Sequence, residues 1–164
     1  MVAKVTPGGC DVGIVVRNGP RALALYQGAL GLEMEYQVPL PDGGVLYRLL
    51  CGGSVLKIFA PLHPPGPAPR RQTDLPFATL ADLVEGCTRS LGYCYIALTV
   101  PNLTEVYAAC MGLGCRPVFA LAPSRPGTEL AVIEDLDGNW VELVGHPDAE
   151  LADADLASKD LRNR

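Results

Sequence analysis

One supersecondary unit, a strand followed by a short helix and three more strands, occurs twice in this chain. Asp11 corresponds to Tyr95, Val16 to Val100 and Asn18 to Asn102 at a constant offset of 84, and Lys57 corresponds to Glu142 at an offset of 85. Such a repeat restricts the fold more than any single propensity, because each copy has to bury its apolar face in the same way. In the first copy, residues 11–16 (DVGIVV) are rich in β-branched side chains and read as a strand. Arg17-Asn18-Gly19-Pro20 turns the chain and sets a proline where a helix opens. A helix is expected over 21–30, where Leu23, Tyr26 and Leu30 share one stripe. Gly31 closes that helix, and strands are expected over 33–38, 45–51 and 54–60. In the second copy the same rules predict a strand over 93–100 and a helix over 104–111 with Thr104 as its N-cap. Strands over 116–120, 128–134 and 139–145 complete it.

The copies define a first module over 1–60 and a second over 93–146. Between them, 61–92 begins as a proline-rich extended connector (PLHPPGPAPRRQ). It continues with Leu80, Leu83, Val84, Cys87 and Leu91 at helical spacing, which predicts a helix on the outside of a sheet. Residues 147–164 form a charged tail to which no role is assigned. The expected fold class is α+β.

Composition narrows the partners. With 49% apolar and 19% charged residues, the 164-residue chain is globular and large enough for a real core. Its net charge of −5 and lack of a basic stripe argue against nucleic acid. No apolar run reaches the ~20 residues of a membrane span, and the first residues lack a secretory core, so a cytoplasmic protein that leaves membranes alone is expected. Six cysteines, Cys10, Cys51, Cys87, Cys94, Cys110 and Cys115, form no CxxC pair and read as small buried apolar side chains.

The repeated βαβββ unit, the segment RALALYQGALGLE and the ending DLDGNWVEL resemble the vicinal oxygen chelate superfamily of glyoxalases, extradiol dioxygenases and bleomycin resistance proteins. The resemblance covers about 11–145, and Leu136 stands where the family often has proline. It implies two curved sheets enclosing a cup, in which four inward side chains on the first and fourth strands of each module commonly hold a divalent metal. Here those positions are Asp11, Lys57, Tyr95 and Glu142, and only Glu142 keeps the family's type. His63, in the connector, and His146, past the last strand, match none of them.

Lys57 makes the metal set degenerate. At 4 Å and an effective dielectric of 20, an ammonium repels a dication by about 8 kcal/mol. Deprotonating it at pH 7 instead costs about 4.6 kcal/mol. A protonated Lys57 between Asp11 and Glu142, with Glu142 the expected main partner, avoids both, so no cofactor is expected and a divalent metal is disfavoured. The alternation that sets these positions adds Val15, Val55, Phe59, Ala97, Trp140 and Val144 as apolar walls. Trp140 either lines a pocket or packs in a core. Arg48, on the third strand, and Arg125, in APSRPG, either meet an acidic ligand or face solvent.

Two functions are compatible with this pattern. One is a metal-independent binding protein that holds a small organic molecule, with the connector 61–72 as a partial lid. The other is an enzyme of glyoxalase or epimerase type acting on a small oxygenated substrate, with or without a divalent metal, in which Glu142 is the general base and Lys57 stabilises an enolate-like oxygen; a metal-dependent lyase ranks third. Either is compatible with a homodimer.

Overall fold

The computed structural model describes residues 11–66, 75–89 and 91–146. The chain divides near residue 70 into two compact units, each built on one four-stranded sheet. The first has strand order β1-β4-β3-β2, with β1 at Asp11–Val15, β2 at Glu33–Pro39, β3 at Val45–Cys51 and β4 at Ser54–Ala60. The second has order β5-β8-β7-β6, with β5 at Ile96–Thr99, β6 at Arg116–Arg125, β7 at Thr128–Glu134 and β8 at Trp140–Gly145. In both, the first strand runs parallel to the fourth and the other pairings are antiparallel. Identical order and direction make the units copies of one βαβββ module, and the fold is α+β, as the repeat predicts.

The crossover helices follow local chemistry. The first, α1, starts at Gly19, two residues before the expected point, because the Asn18 side chain accepts from the Arg21 N–H at 3.0 Å and Pro20 fits the first turn. It runs through Gly19–Leu23 and widens into π-type bonding over Ala24–Ala29, where the Leu30 N–H donates to the Leu25 carbonyl. The crossover helix of the second module, α3, spans Leu103–Gly112. Its N-cap is Asn102, not Thr104, and Asn102 takes a left-handed φ of 50°, which asparagine tolerates better than threonine.

Each crossover helix covers one face of its own sheet. α1 packs against β4, where Leu56 and Ile58 are buried beside Tyr47 and Leu49 of β3. α3 packs against β6, β7 and β8, over Ala131, Ile133, Val141 and Leu143.

The intervening helix, α2 at Leu80–Thr88, breaks the symmetry. Thr79 and Asp82 close a capping box at its start. Its Leu83 and Cys87 join a core of Val118, Phe119, Leu130, Val132 and Trp140, with Phe77 packed alongside. By strand register this is the Glu142 face of the second sheet, opposite the face under α3. A helix on the outside of a sheet was expected; α2 instead covers the face whose equivalent in the first module carries Lys57. Its apolar stripe and the Trp140 face complete each other, and β7 is accordingly buried along nearly all of its length.

Of the cysteines, Cys87, Cys110 and Cys115 are buried, whereas Cys51 and Cys94 are half-exposed. Cys10, residues 67–72 of the connector and the tail lie outside the described residues. No helix among the described residues is long and apolar enough to cross a membrane.

Candidate functional site

The first sheet turns one face to α1, and its other face carries a row of polar residues. Strand register sets Gly13, Lys57 and Arg48 side by side across β1, β4 and β3, with Tyr36 of β2 next in line. An apolar row of Val15, Phe59, Leu46 and Val38 flanks it on one side. On the other side Val55 and Leu50 lie between Asp11 and Glu33, so that row is apolar in the middle and acidic at both ends.

Asp11 lies two residues from Gly13 on the same face, because side chains alternate with a period of two. Lys57 Nζ is 2.7 Å from Asp11 Oδ2, and Arg48 Nη1 is 3.5 Å from the same oxygen. Arg48 Nε donates to Glu35 Oε2 at 2.9 Å, and its guanidinium lies 5.1 Å from the centre of the Tyr36 ring. Neighbouring strand residues normally point to opposite faces. A register shift between Met34 and Tyr36 brings both Glu35 and Tyr36 to one arginine. The Lys57 hydrogen bond, with the charges of Lys57 and Arg48, holds the Asp11 carboxyl below its usual range against the opposing effect of burial. The hydrogen bond to Glu35 strengthens the hold of Arg48 on its proton.

The second module presents its sequence-predicted residues differently. Glu142 sits on β8 between Ala97 of β5 and Val132 of β7, half-buried, and this burial raises its carboxyl above the ordinary value. Tyr95 falls one residue before β5, not within it, and keeps 38% exposure. Burial, and then the nearby Glu142, raise its phenol. Trp140 belongs to the core: it is 4% exposed, meets Phe77 edge-on at 6.1 Å, and donates from Nε1 to Glu134 Oε2 at 3.3 Å. Arg116 Nη1 approaches the other oxygen of Glu134 at 3.7 Å.

Arg125 is not part of this group. It ends β6, four residues along the ladder from the Val132–Glu142 pair, or roughly 13 Å at strand rise. There its Nε approaches Thr128 Oγ1 at 3.4 Å within its own hairpin. The DLDGN segment is turn chemistry. Asp135 Oδ1 accepts from the N–H groups of Asp137 and Asn139 at 2.9 and 2.8 Å, and Gly138 takes a φ of 95° that glycine adopts freely. Of that motif's charged residues, Glu142 alone lies in β8, on the Trp140 face of the second sheet.

Sequence reasoning passed over Glu35, Tyr36, Phe77 and Glu134. Alternation with Arg48 could have found Tyr36; nothing local announces the bulge that adds Glu35, or the docking of Phe77.

The first module's pair does not suit a divalent metal. An ammonium has three donors and no lone pair, and the Asp11 oxygen nearest to it already faces two cations. Among the described residues, no three His, Cys, Asp or Glu side chains gather into a possible metal site.

The sequence model of the Glyoxalase/Bleomycin resistance protein/Dioxygenase superfamily matches residues 11–143. Among solved structures, a glyoxalase family protein from Bacillus cereus is 18% identical with a TM-score of 0.63, over 82% of this chain and 91% of that one. The trypanothione-dependent glyoxalase I of Leishmania major is 19% identical with a TM-score of 0.56, over 92% and 96%. A fosfomycin resistance protein from Mesorhizobium loti is 16% identical with a TM-score of 0.51, over 87% and 91%. Likeness at this identity is likeness of fold. Comparison with curated proteins gives no match.

Proposed function

Because the chain belongs to the glyoxalase/bleomycin resistance protein/dioxygenase superfamily, we propose that it binds a small oxygenated organic molecule without a divalent metal, the Lys57 ammonium supplying the positive charge. The observation that carries this reading is the 2.7 Å pair between Lys57 Nζ and Asp11 Oδ2 at two of the family's metal positions. Lys57 spends one of its three N–H donors on Asp11, and Arg48 spends two of its five on Asp11 and Glu35. The remaining donors suit carbonyl, hydroxyl or carboxylate oxygens. Two cations and two carboxylates balance, so this charged group favours a ligand of low net charge. The apolar residues around Phe59 and Val55 complement its carbon skeleton, the usual composition of a small-molecule site.

Thermal unfolding with fosfomycin, bleomycin and trypanothione as first probes, each with chelator and with added Mn²⁺, tests this. A probe that binds stabilises in chelator, by about 2.7 kcal/mol at a hundred times its Kd, and Lys57→Met removes the effect. Stabilisation that appears only with Mn²⁺ would reject the reading.

A second reading, an enzyme of glyoxalase or epimerase type, is favoured by Glu142. Burial shifts its carboxyl toward the range of a general base, and a phenol lies close by. In that case Glu142 takes a proton from carbon. Deuterium exchange into the α-carbon of a small α-hydroxyacyl thioester, lost in Glu142→Gln, would support it; equal exchange by the variant would remove it.

A further inference from the structure

Cys87 and Cys94 meet where α2 ends and the chain approaches β5. The Cys94 thiol donates to the Cys87 carbonyl at 3.1 Å, capping the last turn of α2. A residue's carbonyl oxygen and its Cβ are about 3 Å apart by covalent geometry, so the Cys94 sulfur lies within about one side-chain length of Cys87. Cys94 also packs against the core that contains Cys87. Two thiols that share one helix end and one core are within the reach of side-chain rotation for a bridge.

We propose that Cys87 and Cys94 are a thiol–disulfide exchange site that closes reversibly with a low-molecular-weight disulfide such as oxidised glutathione. The half-exposed Cys94 reacts first: its thiolate attacks one sulfur of oxidised glutathione, forms a mixed disulfide and releases one glutathione thiolate. The Cys87 thiolate then attacks the Cys94 sulfur and expels the second glutathione. Two protein thiols are oxidised, one glutathione disulfide is reduced to two thiols, and the two protons pass to solvent and the leaving thiolates.

The other close pair makes the contrast. The Cys115 N–H donates to the Cys110 carbonyl at 3.2 Å, yet both side chains are buried and burial pushes their thiols up to about 12 and about 11. Thiolate, the reacting form, is scarce there. At Cys94 the sulfur is reachable, and its partner sits on the helix that covers Trp140 and the Glu142 face. A closed bridge ties α2 to the approach of β5 and fixes Tyr95 beside Glu142.

The test is incubation of the full chain with oxidised glutathione, followed by intact mass, peptide mapping and thiol counting after unfolding. The expected result is loss of two hydrogen atoms, a Cys87–Cys94 linked peptide, and a thiol count falling from six to four. Because Trp140 is the only tryptophan and shares a core with Cys87, its fluorescence should fall on oxidation and return with dithiothreitol. Cys94→Ser should abolish both changes; Cys87→Ala, which keeps a small apolar group in the core, should instead stop at the Cys94 mixed disulfide. A bridge to Cys10, Cys51, Cys110 or Cys115, a linkage that survives in Cys94→Ser, or six thiols remaining would overturn the proposal.

Discussion

Gly86 lies on the buried side of α2, and its replacement by alanine separates the packing of that helix from its intrinsic preference. In an exposed helix the change stabilises by about 1 kcal/mol, because glycine gives up more backbone entropy on folding. Here a Cβ would stand 2.2 Å from Phe77 Cζ, 2.8 Å from Cε2 and 3.0 Å from Cε1. Carbon contacts are ordinarily about 3.5–4.0 Å, so the ring has to retreat by roughly 1 Å. It has little room to do so. Its edge rests against Trp140, and the Phe77 N–H donates to the Val118 carbonyl at 2.8 Å. Overpacking of this kind costs about 1–3 kcal/mol. Set against the helix gain, Gly86→Ala should destabilise by up to about 2 kcal/mol. Phe77→Ala removes the obstacle, and in that background the same change should stabilise by up to about 1 kcal/mol. Urea denaturation of the four proteins, followed by Trp140 fluorescence and circular dichroism, gives the coupling, expected at about 1–3 kcal/mol. If Gly86→Ala stabilised the otherwise native chain and showed no coupling to Phe77, α2 would not lie on the Trp140 face.

Three further outcomes are expected. Burial holds the Glu142 carboxyl above its unfolded value of about 4.3, so its contribution is complete below that pH and is lost as pH rises through the folded value. Glu142→Gln should therefore gain stability relative to the parent between pH 4 and 7 in urea titrations, and a pH-independent difference would contradict this. Asp11 has the opposite sign: its lowered carboxyl contributes above the unfolded value of about 3.9 and loses that contribution as pH falls through the folded value. The deficit of Asp11→Asn should accordingly shrink in acid and, for so open a pair, in high salt; a deficit that grows in acid would count against the ion pair. Asp135→Ala strips acceptors from two backbone N–H groups and the Asn139 amide and should cost about 2–3 kcal/mol by thermal or urea unfolding; a change under about 0.5 kcal/mol would mean that the turn holds without it.

The sequence by itself determined the two βαβββ modules, because the repeat imposes the same burial problem twice and has one solution for both. It also determined which residues share a face, since alternation within a strand is a property of the backbone: Lys57 falls in line with Arg48, and Glu142 with Trp140 and Val144. Helix starts were legible only in part. The asparagine cap and Pro20 move α1 two residues forward, and a left-handed Asn102 takes the place of Thr104. Tertiary structure decided which of the expected carboxylates Lys57 meets, and which unexpected one meets Arg48. Asp11 reaches Lys57 because parallel pairing of β1 with β4 aligns residues far apart in sequence, and Glu35 reaches Arg48 through a bulge that no local pattern encodes. The same is true of α2. Its apolar stripe announces a helix that must be covered, but a stripe carries no address. Only the shape of the Trp140 face, with Phe77 against it and a glycine where the two surfaces touch, selects the place where the helix docks.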